Sequence, residues 1–141
     1  MPEECFSLMS VLLVDDYAPF RKWLSSELRI EGFELLSEAC DGIEAVQIAK
    51  EIQPNLILMD IGLPRLNGIE AAWQIEEVSP SSKILFVSSL SSTEIVEEAL
   101  SFATSSFLSK FDVAREFRAA LHAVLRGERY VSSSASISNG S

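Results

Sequence analysis

Cysteine, cationic charge and long apolar runs are all scarce in this sequence. Cys5 and Cys40 are the two cysteines in 141 residues. They are too few for a disulfide framework and stand at no metal-ligand spacing, so both read as inert packing thiols in a reducing compartment. No uncharged run approaches the ~20 apolar residues of a membrane span, and the Met-Pro-Glu-Glu start has no basic residues leading into an apolar stretch. A cytoplasmic protein is expected. Lys and Arg number 11 against 21 Asp and Glu, a net charge of −10, and that field repels a phosphate backbone, which argues against direct nucleic-acid binding. The one histidine, His122, lies on a predicted terminal helix with no acidic or cysteine partner at ligand spacing. It reads as a surface side chain, not a phosphoryl donor.

What is present is the balance of one globular domain, 48% apolar and 23% charged. Short β-branched and leucine-rich runs alternate with segments of helical period. The runs are Ser10–Val14, Phe33–Ser37, Leu56–Met59, Lys83–Val87 and Ser106–Ser109, and the first, third and fourth read as buried on both faces. Between them, Phe20, Leu24 and Leu28 fall on one helical face, as do Ala45, Ala49 and Ile52, then Ala72, Ile75 and Val78, then Ile95, Ala99 and Phe102. Val113, Phe117, Ala120, Leu121 and Val124 mark a fifth helix. Asp41, Asn67 and Ser91 each precede a glutamate by three residues, the pattern of a helix N-cap, and Gly32 and Gly127 supply helix stops. Alternating strand and helix with short connections predicts right-handed crossovers, hence a doubly wound α/β domain: a five-stranded parallel sheet covered by helices on both faces. Residues 1–9 read as an N-terminal extension, 10–126 as the domain, and 127–141 as a linker or disordered tail. From Tyr130 onward the chain carries no charged side chain, and six of its last ten residues are serine.

In an open parallel sheet, ligands bind beyond the carboxyl ends of the strands. Those ends read Asp15-Asp16, Asp60, Ser88-Ser89 and Lys110. An acidic residue after a strand is often a cap or solvated turn, and Asp16 alone would be read so. Three carboxylates within ~5 Å, however, repel by several kcal/mol per pair at a dielectric of ~20. A hard divalent cation relieves that repulsion, because Mg²⁺ takes carboxylate, water and phosphate oxygens. Lys110 offers a point charge and Ser88 a hydroxyl to phosphoryl oxygens, while one carboxylate can serve as nucleophile. The chemistry indicated is phosphoryl transfer onto an aspartate.

Residues 10–126 resemble a two-component response-regulator receiver domain, CheY-like. The resemblance rests on Asp15-Asp16, Leu58-Met59-Asp60-Ile61-Gly62-Leu63-Pro64 with Asn67-Gly68, Ser88, and Phe107-Leu108-Ser109-Lys110. It implies strand order 2-1-3-4-5, Asp60 as phosphoacceptor, and a Mg²⁺ site (Mn²⁺ as a substitute) formed by Asp15, Asp16, Asp60 and the Gly62 carbonyl. It further implies Lys110 on a phosphoryl oxygen, Ser88 as the hydroxyl that moves toward it, the Ser89 amide beside it, and Phe107 as the aromatic that rotates inward. A sensor histidine kinase is the implied partner, and a homodimer on phosphorylation is left open. The helix 4 to strand 5 surface would carry the output. Phe107 stands where many members have tyrosine, the turn before strand five lacks its usual glycines, and Phe111 replaces a proline after the lysine. The ending Leu125–Tyr130 resembles the junction in NarL/FixJ-type (LuxR-type) regulators, so the chain reads as the receiver of a transcriptional regulator whose DNA-binding domain is not in this sequence.

Three other readings compete. A flavodoxin would need a hydroxyl- and glycine-rich phosphate loop where Asp15-Asp16-Tyr17 stands. A Mg²⁺-dependent phosphohydrolase would carry a second acid where Gly62 stands, so turnover on an external substrate is not expected and the domain reads as a phosphoacceptor, not an enzyme. A phosphorylation-independent adaptor of the same fold is the third, and the five polar positions argue against it.

Overall fold

The computed structural model describes residues 3–135, with side chains from residue 6 onward. Five strands, β1 (Ser10–Val14), β2 (Leu35–Ala39), β3 (Leu56–Met59), β4 (Lys83–Ser88) and β5 (Ser105–Ser109), form one parallel sheet in the order β2-β1-β3-β4-β5. Five helices connect or follow them: α1 (Ala18–Ile30), α2 (Gly42–Ile52), α3 (Gly68–Val78), α4 (Thr93–Ala99) and α5 (Val113–Leu125). The helix-covered parallel sheet is what the alternating pattern predicts, and its flavodoxin-like strand order is the one the resemblance implies.

Successive strand residues point to opposite faces, and the core divides accordingly. Leu12, Val14, Ile57, Met59 and Phe86 pack with Ala45 and Ala49 of α2, Ala72 and Ile75 of α3, and Val96 and Ala99 of α4. Val11, Leu13, Leu58, Leu85 and Leu108 face the other way, onto Leu24 and Leu28 of α1 and Phe117, Leu121 and Val124 of α5. Both faces are therefore covered, and β1, β3 and β4 are buried as their apolar runs imply. Edge strand β5 is buried along its whole length too, although it carries three serines.

Several local boundaries differ from the sequence expectation, and β2 and β4 run on to Ala39 and Ser88. The second strand begins at Leu35, not Phe33: Gly32 turns the chain at φ 106 and Phe33, donating to the Leu28 carbonyl at 3.0 Å, is part of the α1 terminus. Its ring is buried and stacks on Phe6 at 4.8 Å, which ties the N-terminal 3-10 turn Glu3–Leu8 to the domain. Ser92, not Ser91, caps α4, accepting from the Ile95 amide at 3.3 Å. Phe102 lies beyond α4, which ends at Ala99, yet still reaches the core between Trp73 and Phe86. β5 begins one residue earlier, at Ser105. The caps at Asp41 and Asn67 are as expected, accepting from the Glu44 and Glu70 amides at 2.8 and 2.9 Å.

Two single-residue expectations also change. Cys40 is exposed, its thiol directed at Glu44 at 3.4 Å, and that bond and the Glu44 charge raise its pKa, which keeps it protonated without burying it. The Cys5 side chain lies outside the described residues. His122 has an acidic partner after all: Glu31, distant in sequence, meets its Nε2 at 2.8 Å across the ends of α1 and α5.

The segment after α5 does not leave the domain as a linker from residue 127. Tyr130 to Ser132 run parallel to β5, joined at Phe107, and a 3-10 turn at Ser133–Ala135 follows. Residues 136–141 of the expected tail lie outside the described residues.

Candidate functional site at the carboxyl ends of the strands

The sheet register alone brings the chemistry together. Val14 is level with Met59, Met59 with Phe86, and Ser88 with Ser109. Asp15 and Asp60 therefore leave their strands side by side, and Ser89 and Lys110 do the same two residues further along β4 and β5, at the same end of the sheet. Backbone bonds extend the ladder past the strand ends and fix these positions, from the Asp60 amide to the Val14 carbonyl at 2.9 Å and from the Lys110 amide to the Ser88 carbonyl at 2.9 Å.

Carboxylate oxygens of Asp15, Asp16 and Asp60 lie within 4.8 Å of one another. Asp15 is 2% exposed, Asp60 is 9% exposed, and Asp16 is open to solvent. Both oxygens of Asp15 are engaged: Oδ1 accepts from the Tyr17 amide at 2.8 Å and Oδ2 from the Lys110 ammonium at 2.7 Å. Asp60 is held differently. Its Oδ1 accepts from the Ile61 amide at 2.8 Å, which leaves Oδ2 facing Lys110 at 3.6 Å. Burial is the main influence raising the Asp60 pKa; Lys110 opposes it, Asp15 adds to it, and hydrogen bonds from Ile61 and Ser88 oppose it. A carboxylate with a raised pKa binds a proton, a cation or an electrophile more readily than one dissolved in water.

Ser88 is fully buried, and its Oγ accepts from the Leu90 amide at 3.0 Å, which shapes the turn after β4. Ser89 is exposed beside it, and Gly62 is exposed two residues beyond Asp60. Phe107 does not stand outside awaiting an inward rotation: it is fully buried in the cluster that holds Phe86 and Phe102.

Some supporting residues are not apparent from sequence. Phe20, read there as an apolar helix position, lies under the Lys110 ammonium at 4.5 Å, a cation–π contact that orients it. Arg21 anchors the Asp15 backbone carbonyl and pairs with Glu38 at 2.8 Å. Gly68 lets α3 begin against the site: a Cβ there would stand 2.1 Å from the Asp60 carbonyl oxygen. The Asn67-Gly68 pair was the available signal, since glycine after an N-cap permits such an approach. A second group, Cys40, Asp41 and Glu44, also lies within 4.8 Å, but its carboxylates cap α2.

The donor set fits a hard cation. Three carboxylates converge, and the ammonium already present can neutralise one of them while leaving a net negative rim.

A rim of three aspartates on a 2-1-3-4-5 parallel sheet is the arrangement of a receiver-type fold. The chain belongs to the response regulator receiver domain family, whose profile matches residues 11–133. Chemotaxis protein CheY of Thermotoga maritima is 37% identical over 100 residues, covering 71% of this chain and 83% of that protein. The virulence factors putative positive transcription regulator BvgA of Bordetella pertussis is 29% identical over 120 residues, 85% of this chain but 57% of its own length. The chain thus spans 48% to 58% of the length of transcription regulators it matches. Among solved structures, a LuxR-family two-component response regulator from Aurantimonas sp. SI85-9A1 superposes with a TM-score of 0.83 at 27% identity, covering 90% of this chain and 91% of that one. Receiver domains are signalling domains that bind Mg²⁺ at an acidic pocket and take phosphoryl groups from histidine kinases. Among the described residues, no helix is long and apolar enough to cross a membrane.

Proposed function

We propose that this receiver accepts a phosphoryl group on Asp60 from a sensor histidine kinase, in a Mg²⁺-dependent reaction, and uses the change to control an output. One observation carries the reading. Of the two buried carboxylates, Asp15 has both oxygens engaged, whereas Asp60 keeps Oδ2 turned to Lys110 at 3.6 Å. Asp60 is the nucleophile that arrangement favours, and Asp15 the anchor.

Asp60 Oδ2 attacks the phosphorus of a phosphohistidine, and a P–O bond forms as the P–N bond breaks. The electron pair leaves on the imidazole nitrogen, which takes up a proton from water. Ile61 orients the carboxylate through its amide. Lys110 moves a short distance from Asp15 to the transferred oxygens, where its charge offsets theirs. Ser88 donates its hydroxyl to another of them, and the Ser89 amide lies alongside. Asp15, Asp16, Asp60 and the Gly62 carbonyl would hold Mg²⁺, which supplies the positive charge that lets an anionic donor approach this rim.

The output reading is transcriptional control through a DNA-binding domain outside this sequence, supported by the likeness to LuxR-family and BvgA-type regulators. Intact-mass measurement after incubation with Mg²⁺ and acetyl phosphate tests the central claim. One phosphoryl increment is expected, lost in Asp60→Asn and in chelator. A folded parent chain that gains no increment would instead be a phosphorylation-independent adaptor.

A further inference from the structure

The segment after α5 runs along the outer edge of β5, and its contacts flank one functional residue. Along β5, the Phe107 amide donates to the Tyr130 carbonyl at 2.9 Å and the Ser132 amide donates to the Phe107 carbonyl at 3.0 Å. One position further, the Ser109 amide donates to Ser132 Oγ at 2.8 Å. Beyond the strand, Asp112 Oδ2 accepts from both the amide and the hydroxyl of Ser134, at 2.9 and 2.6 Å. Glu116 does the same for Ser133, at 3.2 and 2.7 Å, and also accepts from the Tyr130 hydroxyl at 2.7 Å. Lys110 lies between Ser109 and Asp112, so the chain on both sides of it is fastened to the tail.

The same contacts explain a local oddity. Edge strands expose unpaired amides and carbonyls, and buried hydroxyls need partners. β5 has both needs, being an edge strand with Ser106 buried; the tail meets them, with Ser106 Oγ accepting from the Tyr130 amide at 2.9 Å, while the Ser109 hydroxyl is met within its own loop by the Phe111 amide at 3.1 Å. Ala135 closes the segment by entering the buried cluster that contains Phe107. A composition too polar to fold alone is thus ordered by needs that belong to β5.

We propose that residues 129–135 form a strap that positions Lys110, so that strap docking and phosphoryl occupancy of the Asp60 site are coupled. The strap fixes Ser109 and Asp112, and between them the loop holds the ammonium over Phe20 and toward the Asp60 carboxylate. Without it, the amides of Phe107 and Ser109 lose their partners and the loop that carries Lys110 gains freedom. Reciprocity then requires a phosphoryl group on the site to tighten the strap in turn. The strap reaches the Mg²⁺ donors Asp15 and Asp60 only through Lys110, whose ammonium competes with a cation for them, so loosening it does not weaken Mg²⁺ binding. The inference rests on the phosphoacceptor reading above.

Ser132→Pro removes the amide bonded to Phe107 and the hydroxyl bonded to Ser109; Asp112→Asn weakens the hold on Ser134 and serves if the first variant is poorly folded. Affinities for Mg²⁺ and for beryllofluoride with saturating Mg²⁺ are measured by calorimetry on the full chain, alongside amide hydrogen exchange. Beryllofluoride affinity is expected to fall by about fivefold or more in the variants, near the lower end of usual coupling between sites, with Mg²⁺ affinity not reduced. In the parent chain, beryllofluoride is expected to slow exchange at the Ser132 and Ser134 amides. Folded variants that bind the analogue as tightly as the parent overturn the coupling, as does an equal loss of Mg²⁺ affinity, which marks general damage. Tight binding with unchanged exchange in the strap overturns it as well. A parent chain that binds no beryllofluoride at all overturns the phosphoacceptor reading itself.

Discussion

Neutralising the site's carboxylates one at a time, in chelator, separates the anchor from the purely repulsive charge. Asp16 is exposed and has no described ion pair, yet its oxygen lies within 4.8 Å of those of Asp15 and Asp60. At that separation two charges repel by about 3.5 kcal/mol at a dielectric of ~20 and about 0.9 kcal/mol in bulk water. Solvent around Asp16 places it near the lower figure, so Asp16→Asn should stabilise the metal-free protein by roughly 0.5–1 kcal/mol. Asp15→Asn removes the same repulsion but also breaks the 2.7 Å pair between Lys110, 23% exposed, and a carboxylate 3% exposed. Losing one partner of a fully buried pair costs about 3–5 kcal/mol. The partial exposure of Lys110 reduces that, and the net effect should be a destabilisation of roughly 1–2 kcal/mol. Urea unfolding in EDTA reads the difference, about 1 M between the two midpoints for an m-value near 2 kcal/mol/M. Saturating Mg²⁺ should stabilise the parent and do so less for Asp16→Asn, because a ligand stabilises only the state that binds it. Equal midpoints for Asp16→Asn and the parent in EDTA would refute the repulsion argument. An Asp15→Asn protein as stable as Asp16→Asn would refute the anchoring role of Lys110.

Two further outcomes follow from the same geometry. Gly68→Ala would bring a Cβ to 2.1 Å from the Asp60 carbonyl oxygen, a backbone contact that cannot yield cheaply; a loss of about 2–3 kcal/mol is expected, as for overpacking, with slowed phosphorylation by acetyl phosphate. Parental melting temperature and phosphorylation rate in the Gly68→Ala protein would show that the loop has slack. The Tyr130 phenol is pushed up to about 12 by burial, by its hydrogen bond to Glu116 and by the Glu116 and Asp112 charges. A raised pKa means that its contribution is complete below the unfolded value near 10 and is lost as pH rises toward 12. The parent should therefore lose urea stability over that interval faster than Tyr130→Phe, and parallel curves would rule out a role for the half-buried, hydrogen-bonded phenol.

Much of the site is legible in the amino-acid order because parallel register converts strand ends into neighbours. Asp15, Asp60, Ser88 and Lys110 each sit at the end of an apolar run, and once the runs pair in parallel no other placement is open to them. The caps at Asp41 and Asn67 are equally local, since an N-cap oxygen finds its amide three residues on. Phe33 misled the strand boundary for a related reason: its hydrophobicity reads the same whether it joins a strand or plugs the end of α1, and only Gly32 at φ 106 and the Phe6 ring decide between them.

What sequence order alone determined is therefore whatever rests on period and on neighbours along the chain: the alternation of strands and helices, the acidic rim and the absence of a membrane-length apolar run. Tertiary structure decided which charges pair and which polar segments become ordered. Lys110 meets Asp15 more closely than Asp60 because a flexible side chain seeks the strongest charge within reach, a matter of ångströms rather than of order. Residues 129–135 carry too little apolar surface to predict their own docking; they are held because strand β5, some twenty residues earlier, leaves amides, carbonyls and the Ser106 hydroxyl that burial would otherwise strand without partners.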